Sequence, residues 1–254
     1  MILRPSFTAT FQFETIRRQF DLGGEIPPFK PRYNIQPSQY VPVIVRGKLG
    51  NEAKLMKWGL VPSWVRDISM WDGLPYAQAE TLLEKRSFKQ LVDSRRCLIP
   101  ADGFYEWRSD WRKKTPIWFH LIGKKPFAFA GLWDSWRNVE LGDTLETFTI
   151  ITTTANALIR QIRNRMPVIF DKEGGDQWLD QSVGISRSLS IILVPFPSEL
   201  MEAWEVSAAV EFVENDTPEC IKPVGGARGA ITLPPRKVSA VPIPIVSPFQ
   251  RQKK

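Results

Sequence analysis

A chain of 254 residues with 43% hydrophobic content can bury one large core or two small ones, and no apolar run approaches the ~18 residues of a membrane span. Two cysteines, Cys97 and Cys220, are too few for a disulfide framework, and a single histidine, His120, argues against a His-based zinc site. The net charge is +7, and six of those charges fall on Arg228, Arg236, Lys237, Arg251, Lys253 and Lys254, in a stretch with no acidic residue. The body is therefore nearly neutral, and a groove for a polyanion has to come from local clustering. The N-terminus lacks a charged, then apolar, then small-residue layout, so no signal peptide is expected and the location is read as cytoplasmic.

The apolar spacing of residues 10–20, with Phe13, Ile16 and Phe20 on one stripe, predicts an amphipathic helix. Gly23-Gly24 and Pro27-Pro28 break the chain after it. Residues 41–46 read as a strand and 53–58 as its hairpin partner; 79–83 and 87–92 read as helical. Strands are expected at 96–99, 117–121, 127–132 and 147–153, all rich in β-formers. A helix at 156–162, a short strand at 168–170 and a helical turn at 177–179 follow, and Ile191-Ile192-Leu193-Val194 is another run of strand length. Many strands with few, scattered helices predict an α+β fold around an antiparallel, barrel-like sheet. Residues 225–254 hold five prolines and show no helix or strand period, so a main domain over 1–224 and a mostly extended basic tail adding little core are expected.

Five segments stand out. They are Pro31-Arg32-Tyr33-Asn34-Ile35-Gln36-Pro37; Trp58-Gly59-Leu60-Val61-Pro62-Ser63-Trp64; Ala77-Gln78-Ala79-Glu80-Thr81; the run from Arg96 to Trp107 ending Gly103-Phe104-Tyr105-Glu106-Trp107; and Ile151-Thr152-Thr153-Thr154-Ala155-Asn156 followed by Arg165-Met166-Pro167-Val168-Ile169. In order and spacing they resemble the SRAP family, the abasic-site-processing proteins also called SOS-response-associated peptidases. Asn215-Asp216, Cys220-Ile221 and Pro223 resemble that family's closing segment.

The resemblance implies binding of single-stranded or gapped DNA at abasic sites, in the DNA-damage (SOS) response, by a monomer without metal or cofactor. It also implies a cysteine exposed by loss of the initiator methionine. Its amine and thiol condense with the abasic aldehyde to a thiazolidine, supported by asparagine, glutamate and histidine. The family positions that contact DNA fall on Arg4, Asn34, Trp64, Gln78, Thr152 and Arg165.

This chain departs from that pattern at the chemical positions. It opens Met1-Ile2-Leu3-Arg4, so Ile2 stands where the cysteine is expected; counting back from Phe7-Thr8 puts Arg4 there instead, and neither supplies a thiol. Tyr76 takes the place of the asparagine and Arg163 that of the histidine, leaving only Glu106. A fixed cation at 163, beside Arg165, favours phosphate binding over proton shuttling. The self-cleavage behind the family's peptidase (hydrolase) label acts ahead of the cysteine and is not expected here.

Read without the family, Glu106 lies between Tyr105 and Trp107. It is either a desolvated carboxyl suited to proton transfer or a strand-end charge paired with an arginine. Cys97 and His120 read as core residues, and Trp64 as either a core aromatic or a ring that stacks on a base. The leading expectation is a pseudoenzyme that binds single-stranded DNA. One alternative is a residual enzyme forming a reversible Schiff base through the Met1 amine, with Glu106 as acid/base. The other is a structural or protein-interaction descendant with no DNA role.

Overall fold

Runs of β-branched and aromatic residues supply most of the elements. The computed structural model describes residues 5–110, 113–138, 142–182, 189–225 and 230–231. Its strands are β1 (Ser6–Ala9), β2 (Arg32–Ile35), β3 (Tyr40–Gly47), β4 (Gly50–Trp58), β5 (Tyr76–Gln78), β6 (Arg96–Ala101), β7 (Gly103–Ser109), β8 (Lys114–Leu121), β9 (Phe127–Arg137), β10 (Thr144–Thr154), β11 (Arg165–Pro167), β12 (Ile169–Phe170), β13 (Met201–Glu205) and β14 (Ala230–Ile231). The helices are short: α1 (Phe13–Gln19), α2 (Arg86–Lys89), α3 (Lys172–Leu179) and α4 (Leu189–Ile192). No helix among the described residues is long and apolar enough to cross a membrane.

The α+β, barrel-like expectation holds. Following the pairings β10–β4–β3–β6–β9 and back to β10 closes a five-stranded ring. Four of its pairs are antiparallel and one, β10 with β4, is parallel. A second sheet runs β14–β13–β8–β7–β1–β2. Period-2 alternation sorts the ring's side chains into two cores. Cys97, Ile99, Phe127, Phe129, Phe148 and Ile150 meet Phe7, Phe104 and Phe119 of the second sheet. Leu98, Ala128, Ala130, Leu132 and Ile151 face outward under α1 and α3, against Phe13, Ile16, Phe20 and Trp178. With both faces covered, the strands read as near-continuous apolar runs.

Most predicted elements appear, with revised lengths. The helix expected at 79–83 is a single 3-10 turn, Ala79–Thr81, and that at 87–92 is reduced to α2. The helix expected at 156–162 is also one 3-10 turn, Ile159–Gln161. Asn156 Oδ1 accepts from Leu158 N and Ile159 N, starting a turn that must return at once, because Ala155 N donates to Asn164 O at 3.0 Å and Arg165 re-enters the sheet opposite Thr154. The run 191–194, expected as strand length, begins inside the helical turn α4 instead. The boundary expected at residue 225 does not end the fold: Ala230–Ile231 pair with Trp204 and Ala203, and Ile231 packs against the first core. The rest of the expected tail, and Met1 to Arg4, lie outside the described residues.

Buried polar groups are tied to backbone. Arg96 is fully buried and donates to the carbonyls of Val92 at 2.8 Å and of Trp178 and Asp180, which closes the C-terminal end of α3. Asp102 accepts from Thr8 Oγ1 at 2.6 Å and Thr10 N at 2.8 Å, although burial raises its pKa. That staple fixes β1 beside β7.

The ring closes where β9 passes β10 at Gly131. A Cβ there would lie 2.7 Å from Thr149 O and 3.0 Å from Cys97 Sγ. Gly131→Ala is expected to cost about 1–3 kcal/mol by overpacking, a fall in Tm of roughly 2–10 °C for a domain of this size. Gly23→Ala, whose Cβ would meet only Asn51 O at 3.9 Å, should melt close to the parent; equal losses in the two would argue against a tight seam. A second expectation concerns β14. A chain ending at 229 should melt below one ending at 231, by about 1 kcal/mol for the half-buried Ile231. Indistinguishable melts would show that β14 adds no stability.

Candidate functional site

The site forms where β7 of the second sheet meets β5 and β11 beyond the end of the ring. β5 lies parallel to β10, with Tyr76 opposite Ile150 and Gln78 opposite Thr152. β11 lies antiparallel on the same strand, with Arg165 opposite Thr154. Between these strands and Glu106 of β7 is a cavity of about 500 Å³ that also includes Pro5, Arg163 and Asn164. A smaller cavity of about 270 Å³ continues past Glu106 and Arg165 to Gln78, Lys85 and Thr152. The two share Tyr76, Glu106 and Arg165, so they form one groove.

Glu106 fits both readings offered by its sequence position. Burial pushes its carboxyl up to about 7, while Arg163 pulls the other way through Nε at 3.1 Å from Oε2. Its neighbour Tyr76 is held well above the usual tyrosine range by burial and, second, by the Glu106 charge. The Tyr76 ring stands edge-on to Trp58, 5.9 Å between centroids. The two residues that replace the expected asparagine and histidine are thus both in the cavity, and one is the counter-ion of the glutamate.

Arg165 is already engaged. Its Nη1 and Nη2 donate to the two Glu80 oxygens at 3.2 and 2.8 Å, Nη2 also donates to Thr152 O at 2.7 Å, and Nε to Thr152 Oγ1 at 3.2 Å. The Arg165 hydrogen bonds hold the Glu80 carboxyl below its ordinary value. A phosphate approaching Arg165 competes with Glu80.

The other expected DNA contacts divide. Gln78 is exposed at the groove. Thr152 is 7% exposed, lines the smaller cavity and accepts from Arg165 Nε through its Oγ1. Asn34 is a correction: it is fully buried, and its Nδ2 donates to the carbonyls of Val210, Phe212 and Asn215 at 2.9–3.1 Å. With Asp216, which accepts from Arg32 and from the backbone of Tyr33 and Asn34, it clasps β2 to the closing segment. Trp64 is 41% exposed, stands edge-on to Trp71 and carries the Arg86 guanidinium 4.7 Å above its ring, but lines neither cavity. Ile2 and Arg4 lie outside the described residues. Pro5 lines the larger cavity because β1 pairs Ser6 with Tyr105, which brings Pro5 to the cavity that Glu106 lines.

Cys97 and Cys220 are buried, and burial raises both thiols. His120 is buried between the rings of Trp118 and Trp204, with its pKa lowered by burial and Nδ1 2.8 Å from Leu121 O. Sequence reasoning missed Glu80 and Lys85. Glu80 lay inside a quoted motif, and its role was hidden because its partner is on a strand far along the chain.

A carboxyl whose pKa rises on folding favours the native state when protonated. The Glu106 contribution is therefore complete below its ordinary value of 4.5 and is lost as pH rises through about 7. Glu106→Gln removes that pH-dependent burden. It should be more stable than the parent at pH 8, by about 3 kcal/mol, with the gap closing toward pH 5. Urea melts at the two pH values test this, and a gap independent of pH would contradict the raised carboxyl.

The chain matches the family described as SOS response associated peptidase (SRAP) over residues 4–213. It is 39% identical over 219 residues to the abasic site processing protein YoqW of Bacillus subtilis (strain 168), covering 85% of this chain and 97% of that one. It is 33% identical to the abasic site processing protein HMCES of Gallus gallus, covering 77% and 67%. A crystal structure of a protein from Bacteroides thetaiotaomicron superposes with a TM-score of 0.75 at 25% identity, covering 88% of this chain and all of that one. Matching motifs, ring topology and relatives over most of its length agree, and the chain belongs to the SRAP family.

Proposed function

We propose that this protein binds single-stranded DNA at abasic sites along the groove between β7 and β5–β11, as part of a DNA-damage response, and that it does so without thiazolidine crosslinking. Its relatives carry the name of abasic site processing proteins, which supports the substrate class. The observation that carries the rest is the Glu106–Arg163 pair in a cavity whose described lining holds no thiol. Thiazolidine closure needs an amine and a thiol on adjacent carbons of one residue. Both described cysteines are buried within the chain and neither has a free α-amine. An arginine at 163 cannot give and take a proton near neutral pH as a histidine does.

Arg163 and Arg165 are paired before DNA arrives, so phosphate binding exchanges one anion for another. Affinity for single strands should fall with salt, with a slope of log K against log salt of about −0.7 per phosphate neutralised. Glu80→Gln releases Arg165 and should tighten binding at low salt. No binding at low salt in the parent would leave the structural-descendant reading. A crosslink to abasic single strands that survives heat and denaturant without reductant would refute the loss of thiazolidine chemistry. Ile2→Cys alone should not restore that crosslink in full, because Tyr76 and Arg163 remain.

A further inference from the structure

The chain's single histidine, His120, lies on β8 in neither cavity of the groove, and it is fully buried. Its Nδ1 is 2.8 Å from Leu121 O. A carbonyl only accepts, so Nδ1 carries the ring proton and Nε2 keeps a bare lone pair. That Nε2 is buried and has no hydrogen-bond partner among the described residues. Trp118 stacks on the imidazole at 4.3 Å between centroids, and Trp204 of β13 meets it edge-on at 4.4 Å. Three charged groups face the ring. From β13, Glu202, the cross-strand partner of His120, brings Oε2 to 4.0 Å from Nε2, but its side chain is half exposed to solvent. From the turn after β8, Lys124 sets its ammonium 5.4 Å from the centre of the Trp204 ring and 5.9 Å from that of Trp118. Asp102, next to the Gly103 that pairs with His120 from β7, is occupied by Thr8 and Thr10.

We propose that His120 is a proton-sensitive latch: its neutral ring holds β13 against β8, and a second proton on it releases β13, with β14 and the closing segment, before the rest of the fold opens. A proton added to Nε2 makes a cation in a dry aromatic pocket, with no acceptor within hydrogen-bond distance and an ammonium already seated on the same two indoles. Water reaches Nε2 only if β13 lifts away. Burial, the largest influence, and the Lys124 charge lower the pKa of His120, while the Leu121 carbonyl and Glu202 oppose them. β13 is the element that can yield, since it pairs with β8 on one side and with the two-residue β14 on the other. Trp204 Nε1 donates to Ile221 O at 2.9 Å and Val224 N to Glu205 O at 2.9 Å, so β13 and the closing segment move together. A histidine whose pKa falls on folding leaves stability intact above its ordinary value of 6.5. It removes stability as pH drops below 6.5, until the folded-state pKa is passed.

The test uses the full, untagged chain. With one histidine in the sequence, the imidazole NMR signal is unambiguous, and it should titrate below 6.5. Deuterium uptake, corrected for the intrinsic effect of pH on exchange, should show residues 201–224 opening up to about tenfold more at pH 5.5 than at pH 7.5, while β3, β6 and β9 stay protected. His120→Phe keeps an aromatic ring between the indoles and takes no proton, so its uptake over 201–224 should be the same at both pH values. Lys124→Gln removes the competing cation and should weaken the acid response. Glu106 also titrates in this range, but its sign is opposite and it is retained in His120→Phe, so it cannot imitate the result. Should His120→Phe fail to fold, the parent alone decides: a histidine that titrates at or above 6.5, or uptake that is equal at the two pH values, overturns the latch. An unchanged acid response in His120→Phe overturns the assignment to this residue, and uptake that rises alike along the whole chain overturns the local release.

Discussion

A closed ring of five strands cannot be antiparallel throughout. Each antiparallel pair reverses chain direction, and an odd number of reversals does not return to its starting sense. One pair has to be parallel, and here it is β10 with β4, over Thr147–Lys57 and Phe148–Trp58. Parallel neighbours cannot be joined by a tight turn, so the chain leaves β4 and wanders. On the way it comes back alongside β10 as β5, still parallel, and brings Tyr76 and Gln78 to the ring's open end. The site is a by-product of that parity: the strand that had to leave supplies one wall of the groove.

Four of the groove's charges form two closed pairs, Glu106 with Arg163 and Glu80 with Arg165, while Lys85 lines the groove outside either pair. This accords with a body whose charge is nearly balanced outside the basic stretch at the end of the chain. A groove lined by unpaired arginines would attract any polyanion. One whose arginines are already satisfied gains only the difference between two partners, which favours discrimination over raw affinity. Side-chain exposures of a third to a half keep the exchange inexpensive at the Glu80–Arg165 pair, whereas Glu106 is the more buried member of the other pair.

Strands with strong local pattern were legible: β3 and β4 as a hairpin, β6, β8, β9 and β10 as apolar runs, and α1 as an amphipathic stripe. The strands β1, β5 and β13 were not read as strands, because what makes them strands is a partner far along the chain rather than their own sequence; β7 and β11 were missed although β8 and β10 lie close by in the chain. The site divided in the same way. Glu106, Tyr76, Arg163 and Arg165 were named from position and do share one cavity. That Arg163 answers Glu106 and that Glu80 holds Arg165 depends on tertiary placement which spacing does not contain. Asn34 shows the converse error: a polar residue inside a recognisable motif was taken for a contact when its buried amide satisfies the carbonyls of Val210, Phe212 and Asn215.

The β10–β4 contact also bears on the order in which the molecule can assemble. The β9–β10 pair connects neighbouring segments and closes with little loss of chain entropy, whereas joining Lys57 to Thr147 closes a far longer loop. Contacts of that range slow folding, so ring closure is a late event on kinetic grounds. β5, which completes the groove, lies within that loop and takes its place on β10 through contacts of the same long range. Until those contacts form, the groove lacks one wall and the stretch of β10 that takes β5 is an unpaired edge.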